Sequence, residues 1–191
     1  MIKTSDTQLA EQLARNIKAV IFDGDGVIFS GQVLVGPNGE SHKTRSHIDG
    51  QGISLLRSAG FKVALVTAEN SPFADKFLEK MNGLPSVQSG AWEPMEMVKD
   101  VIGTDKVSAV GAWVERHKLS WDECAYMGDD IGDYAVMEHV AFRACPASAE
   151  EMIKSFSHFV AKREGGNGAV RDFCNFLLDV KGINEKTLSL R

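Results

Sequence analysis

The chain has 191 residues, 43% of them hydrophobic, and a formal charge of −5 from 21 Lys and Arg against 26 Asp and Glu, proportions that exclude wholesale disorder. The mildly acidic balance lacks the basic footprint of a nucleic-acid binder, and no apolar run approaches the roughly 20 residues of a membrane span. Cys124, Cys145 and Cys174 show no zinc spacing and cannot close a disulfide framework, and the polar, acid-containing start does not read as a signal peptide; both point to a reducing cytoplasm.

With no repeat, low-complexity tract or linker, residues 1–191 read as one domain with its core at about 18–180. Thr4 and Ser5 are set to cap a first helix on which Leu9, Leu13 and Ile17 recur at spacing four. Ala19-Val20-Ile21-Phe22 is a continuous apolar run, as expected of a strand buried on both faces, and it stops at Asp23-Gly24-Asp25-Gly26. Residues 32–45 read as a β-hairpin with Asn38-Gly39 as its turn signal. A helix at about 50–59 precedes the strand Val63–Val66, which ends at Thr67. Ser71 as cap and Pro72 at the first position open a helix that carries Phe73, Phe77 and Met81 at spacing four. Residues 84–105 suggest a short strand near Val87 and a helix near 94–101. A helix over about 106–117 leads to the strand Cys124–Met127, which ends in Gly128-Asp129-Asp130. Short strands near 141–145 and 157–161, the turn Gly165–Gly168, a helix to about Val180 and a loose tail complete the chain. Apolar strands alternating with amphipathic helices predict an α/β fold, a doubly wound, mainly parallel sheet with helices on both faces.

Three strands thus end in polar residues: Asp23 and Asp25, then Thr67, then Asp129 and Asp130. In an open parallel sheet the carboxyl ends of the strands gather at one edge, where ligands bind. Four carboxylates brought together there repel one another, and a hard cation bound by oxygen alone, Mg²⁺, relieves that repulsion. Added to the Thr67 hydroxyl and a lysine from the 99–106 region, they suit a phosphate ester.

Ile21-Phe22-Asp23-Gly24-Asp25-Gly26-Val27 resembles the first motif of the haloacid dehalogenase superfamily, D-x-D-G followed by Thr or Val. Thr67 matches its second motif, Lys106 its third, and Gly128-Asp129-Asp130 with Asp133 its fourth. The hairpin, Asp49-Gly50-Gln51-Gly52-Ile53, and Gly165 to Arg171 resemble the capless subgroup that includes the 3-deoxy-manno-octulosonate 8-phosphate phosphatases. This resemblance implies a Mg²⁺-dependent phosphatase, without a cap domain, acting on a sugar-acid phosphate. Asp23 is then the nucleophile and Asp25 the general acid and base. Thr67 and Lys106, with Gly24 and Ala68, bind the phosphoryl group; Asp23, the Asp25 carbonyl and Asp129 hold Mg²⁺. Asp130 supports that shell or orients water, and Asp133 does the same or caps the next helix. Lys106 is preferred to Lys99 because it opens the helix that leads to the Gly-Asp-Asp strand.

Asp49, Gly50, Glu69 and Arg171 are weaker substrate-binding candidates, and Arg171 with its glycine turn serves equally well to start the last helix. The octulosonate phosphatases continue their second motif T-G-R, whereas this chain reads Thr67-Ala68-Glu69. That departure raises nine-carbon sugar-acid (nonulosonate) 9-phosphates as the alternative substrate. Trp92, in an insertion at 91–105, suits a substrate lid, core packing or a subunit contact. The resemblance further implies a homotetramer whose hairpins assemble it and whose active sites lie at subunit interfaces; the apolar Val33-Leu34-Val35 fits such a covered edge. Two other classes compete. A response-regulator receiver places its acceptor on the third strand and has no hairpin, and a catalytically silent assembly module has no need of the intact Asp23, Asp25, Thr67, Lys106 and Asp129.

Overall fold

Strand β1 (Ala19–Asp23) is buried along its whole length, because the computed structural model places it at the middle of a six-stranded sheet. The structure describes residues 4–70 and 72–190. On one side β1 pairs in parallel with β4 (Lys62–Val66), Asp23 lying opposite Val66; on the other it pairs with β6 (Cys124–Met127), Phe22 lying opposite Met127. The sheet continues outward through β5 (Glu96–Val98) on one flank and β7 (Phe142–Cys145) and β8 (Phe159–Val160) on the other, every pairing parallel, in the order β5-β4-β1-β6-β7-β8. The chain builds one flank and then returns to build the other, so its topological switch falls between β1 and β6. The central strands β1, β4 and β6 are short, largely buried and apolar, as a sheet covered on both faces requires, whereas the flanking β5 and β8 are only partly covered.

Side chains alternate between the two faces. Val20 and Phe22 join Ala10 and Ala14 of α1 (Thr4–Ala14), Ile53 and Leu56 of α2 (His47–Ser58), Phe77 and Met81 of α3 (Pro72–Asn82), and Phe173 and Leu177 of α8 (Ala169–Val180). Ala19 and Ile21 face Val110 and Trp113 of α5 (Thr104–Arg116), Val136 and Met137 of α6 (Ile131–Met137), and Ile153 of α7 (Glu151–Phe156). Each large apolar side chain so buried contributes about 1.5–3 kcal/mol relative to exposure. The hairpin, β2 (Val33–Gly36) with β3 (Gly39–Lys43), forms a separate two-stranded sheet. Among the described residues no helix is long and apolar enough to cross a membrane.

Several local expectations change. On α1 the buried face is Ala10 and Ala14, with Ile17 just beyond the helix, while Leu9 is exposed: small residues let the helix lie close to the sheet. The side chains of Thr4 and Ser5, and Ser71, lie outside the described residues. Helix α2 starts earlier than expected because Ser46 caps it, its hydroxyl accepting from the Ile48 amide. The hairpin turns at Pro37-Asn38, with Gly39 (φ 101°) opening β3, rather than at Asn38-Gly39. The stretch 84–105 reverses the expectation: Val87 lies in a helical turn, α4 (Pro85–Gln88), started by Pro85, and 96–98 is the edge strand β5. Helices α6 and α7 are additional, and the tail is packed, with Ile183 and Leu188 against the core and the Ser189 amide bonded to the Ser58 hydroxyl.

Candidate active site

The carboxyl ends of β1, β4 and β6 surround a cleft of about 310 Å³ lined by Asp23, Asp25, Gly26, Thr67, Ala68, Lys106, Asp129, Asp130 and Asp133, together with Gly31 and Gly132. Each arrives by a local rule. Asp23 is the last residue of β1, Thr67 follows β4, Asp129 lies two residues past β6, and Lys106 sits in the first turn of α5. Asp130 is the N-cap of α6, its carboxylate accepting from the Ile131 amide, and Asp133 completes a capping box with it.

Asp133 organises the floor of the cleft. Its Oδ1 accepts from Lys106 Nζ at 2.6 Å and from the Tyr126 hydroxyl at 2.8 Å; its Oδ2 accepts from the Asp129 amide at 2.9 Å. Lys106 Nζ also donates to Asp23 Oδ1 at 2.6 Å. Asp133 therefore both caps α6 and supports the charged cluster. Of the two lysines weighed from the sequence, Lys106 lines the cleft, whereas Lys99 pairs with Asp75 at 2.6 Å.

The cluster holds more negative charge than Lys106 can balance. Burial, then the Asp133 charge, pushes the Asp23 carboxyl well above its ordinary range, with Lys106 opposing. Burial and the neighbouring Asp133 and Asp130 carry Asp129 up to about 7. Burial pulls Lys106 down, but the carboxylates of Asp23 and Asp133 outweigh it and hold the ammonium above the usual lysine range. Burial raises Asp25 despite the opposing bond from Lys43. One carboxylate oxygen each from Asp23, Asp129 and Asp133 lies within 4.8 Å of the others, a hard-oxygen set of the kind that holds Mg²⁺. Because both Asp133 oxygens already accept hydrogen bonds, Asp23 and Asp129 are the better placed to contact an ion.

Close backbone approach fixes the loop after β1. Gly26 has φ 78°, and a Cβ there would come within 1.9 Å of Asp129 Oδ2, so only glycine lets Asp129 lean over the loop. The turn at Gly165 presses on the same loop: a Cβ on Gly165 would lie 1.6 Å from the Gly26 carbonyl oxygen, and the Gly166 amide donates to the Val27 carbonyl at 2.8 Å. Thr67 is buried, and its hydroxyl accepts from the Glu69 amide at 3.1 Å, which leaves its proton to donate elsewhere. Gly24 lies against that side chain and does not itself line the cleft.

The structure does not bring every candidate to the cleft. Asp49 is buried and accepts from the Gly168 and Arg171 amides at 3.0 and 2.9 Å. It thus caps α8 from α2, a task the N-cap Gly168 has no side chain to perform. Gly50 packs near Met81, and the Arg171 guanidinium turns to Asn175 and Glu185. None of these three lines the cleft, so the Asp49–Ile53 and Gly165–Arg171 segments serve helix docking and loop support. Trp92 is no lid. It is buried over Arg57, whose guanidinium donates to the Glu93 and Met81 carbonyls, at the C-terminal end of α2, away from the cleft. Sequence reasoning missed Lys43, whose Nζ donates to Asp25 Oδ1 at 2.7 Å and pairs with Glu69. A lysine on a hairpin strand looks solvated in sequence; the one available signal was its spacing two residues from Arg45, both placed over aromatics of α3.

The family model for haloacid dehalogenase-like hydrolases matches residues 40–138, which hold Thr67, Lys106, Asp129 and Asp133 but begin after Asp23. The chain is 29% identical over 169 residues to the 3-deoxy-D-manno-octulosonate 8-phosphate phosphatase KdsC of Escherichia coli K12, covering 88% of this chain and 83% of that protein. In fold it is similar to the 3-deoxy-D-manno-octulosonate 8-phosphate phosphatase of Yersinia pestis, with a TM-score of 0.80, 27% identity and 91% and 87% of the two chains covered. It is likewise similar to the cobalt-bound deoxy-D-mannose-octulosonate 8-phosphate phosphatase of Haemophilus influenzae, with a TM-score of 0.78, 27% identity and 90% and 92% covered.

Proposed function

The chain belongs to the haloacid dehalogenase-like hydrolases, and from that premise we propose that it is a Mg²⁺-dependent phosphatase of a sugar-acid phosphate, first of all 3-deoxy-D-manno-octulosonate 8-phosphate. One observation carries the reading: Asp23, Lys106 and Asp133 form one buried charged cluster with the half-buried Asp129 beside it, and Thr67 and Asp25 lie on the same cleft.

In the proposed reaction a carboxylate oxygen of Asp23 attacks phosphorus and the ester bond breaks, giving an aspartyl-phosphate. Asp25 gives its proton to the departing alkoxide, then takes one from the water that releases phosphate and restores Asp23. Burial keeps a proton on Asp25 to higher pH than on an ordinary aspartate, as the first of these transfers needs. Lys106 Nζ, already 2.6 Å from Asp23, and the Thr67 hydroxyl face the phosphoryl oxygens and stabilise charge that grows in the transition state. Asp23 and Asp129, with the Asp25 carbonyl, hold Mg²⁺, which when bound neutralises carboxylate and phosphate charge. Asp133 keeps Lys106 in place from behind, and the Gly24 and Ala68 segments flank the phosphate.

The exposed Leu34 and Val35 of the hairpin support a tetramer in which neighbours cover each other's clefts. The three buried free thiols, Cys124, Cys145 and Cys174, support a cytoplasmic home. A nonulosonate 9-phosphate is the second substrate reading, favoured by the sequence Thr67-Ala68-Glu69, although Glu69 pairs with Lys43 and does not itself line the cleft, and by a cleft lining that has no arginine among the described residues. The test is phosphate release with Mg²⁺ from a panel holding the eight-carbon and nine-carbon sugar-acid phosphates. Release from neither would hand the chain to the silent-module class; a monomer by light scattering would remove the shared cleft.

A further inference from the structure

Lys43 is the last residue of β3, yet its ammonium lies in the chemistry. The side chain is 2% exposed, its Nζ 5.9 Å from the centre of the Phe73 ring. Nζ donates to Asp25 Oδ1 at 2.7 Å, pairs with Glu69, and lies 3.8 Å from Glu40. Such a buried cation is retained only where partners offset its lost hydration, and here the partners include the residue that must aim a proton at the leaving group. Asp25 itself stands between Gly24 and Gly26 on the loop after β1, whose backbone is held by close packing, so what the hairpin can set is the direction of its side chain.

We infer that Lys43 is a positioning residue for Asp25, so that the hairpin reaches into the acid–base step as well as outward. The inference rests on the phosphatase reading. When the ester P–O bond breaks, its electron pair goes to the leaving oxygen, which takes the Asp25 proton; Lys43 holds the carboxyl in reach of that oxygen and stays beside the carboxylate left behind. Glu69 takes the second hydrogen bond of the ammonium and stops it from turning away from Asp25.

The leaving group separates positioning from mere support. A sugar alkoxide is a poor leaving group and needs the proton; p-nitrophenolate leaves without one. For Lys43→Met with Mg²⁺, kcat/KM on the best alkyl ester of the panel should fall by about 10²-fold, the low end of what a general acid supplies, while kcat/KM on p-nitrophenyl phosphate stays within a few-fold. Lys43→Arg, which keeps the charge, should recover part of the alkyl rate. The ratio of the two values within one preparation is independent of the folded fraction, so partial unfolding cannot imitate the result. An equal fall on both esters, or no fall on either, overturns the role of Lys43. A wild-type protein that cleaves neither ester overturns the phosphatase reading itself, and this inference with it.

Discussion

The two edges of the same sheet treat charge in opposite ways. At the carboxyl edge Lys106, Asp23 and Asp133 have side chains only 5%, 10% and 2% exposed, and one ammonium serves two buried carboxylates with Asp129 beside them. At the amino edge each cation has its own partner near water: Lys18 with Glu123, side chains 65% and 24% exposed, and Lys62 with Glu93, 25% and 60% exposed. A cleft of about 230 Å³ opens there too, lined by Lys18, Lys62 and Lys181 along with Ile17 and Phe61, but it gathers no carboxylates: Lys18 and Lys62 pair with acids beyond its lining, and Lys181 donates to the Arg15 carbonyl at 2.9 Å. Unbalanced charge in a dry place, rather than a cavity or a cluster of cations, separates the working edge from the other.

The largest effect expected at the carboxyl edge is on rate. Asp23→Asn should lower phosphate release by about 10⁴-fold or more, with chelation of Mg²⁺ doing comparable damage, while the thermal midpoint of the variant holds or rises because one repelling carboxylate is gone. A substantial residual rate would move the nucleophile elsewhere. Next, Lys106→Met leaves Asp23 and Asp133 buried without their cation and should cost about 3–5 kcal/mol in denaturant unfolding. If it unfolds like the wild type, the cluster is not a charged unit.

At the opposite edge the same size of damage should leave chemistry alone. Trp92→Ala opens a cavity over Arg57 and is expected to cost about 3–5 kcal/mol while kcat/KM of the folded enzyme is unchanged; a selective rise in KM would restore a substrate role to that segment. The edges should also part in their response to pH. Asp129 has its carboxyl raised from 3.8 to about 7, and Asp23 is raised as well, so the metal-free fold binds protons that the unfolded chain releases. Its stability is therefore fullest below the ordinary carboxylate range and falls as pH rises to about 7. Mg²⁺, which replaces those protons, should lift the melting midpoint most above about pH 7 and little near pH 5; a lift that ignores pH would sink this account. Smallest of all, Lys62→Met should move stability by about 0–1 kcal/mol, as exposed pairs do, and a larger loss would erase the contrast between the edges.

The carboxyl edge was legible in the sequence because buried strands announce their ends: an apolar run stopped by Asp23, another by Thr67 and a third before Asp129 must bring those residues to one layer. Lys106 was legible for a related reason, opening the helix before the third of those strands. Lys43 was not, since local sequence does not say that a hairpin folds back over the loop after β1. Asp49 misled because a carboxylate capping a distant helix carries no local mark. The stretch 84–105 inverted because an edge strand of three residues and a helix of four are both shorter than any period that could reveal them.

The contact between Gly165 and the Gly26 carbonyl sets a timetable for biosynthesis. Asp23 and Asp25 leave the ribosome early, but the turn that seats their loop comes about 140 residues later, and β1 must wait for β6 to cover its second side. A nascent chain therefore carries Asp23 and Asp25 long before the turn that seats their loop has been made.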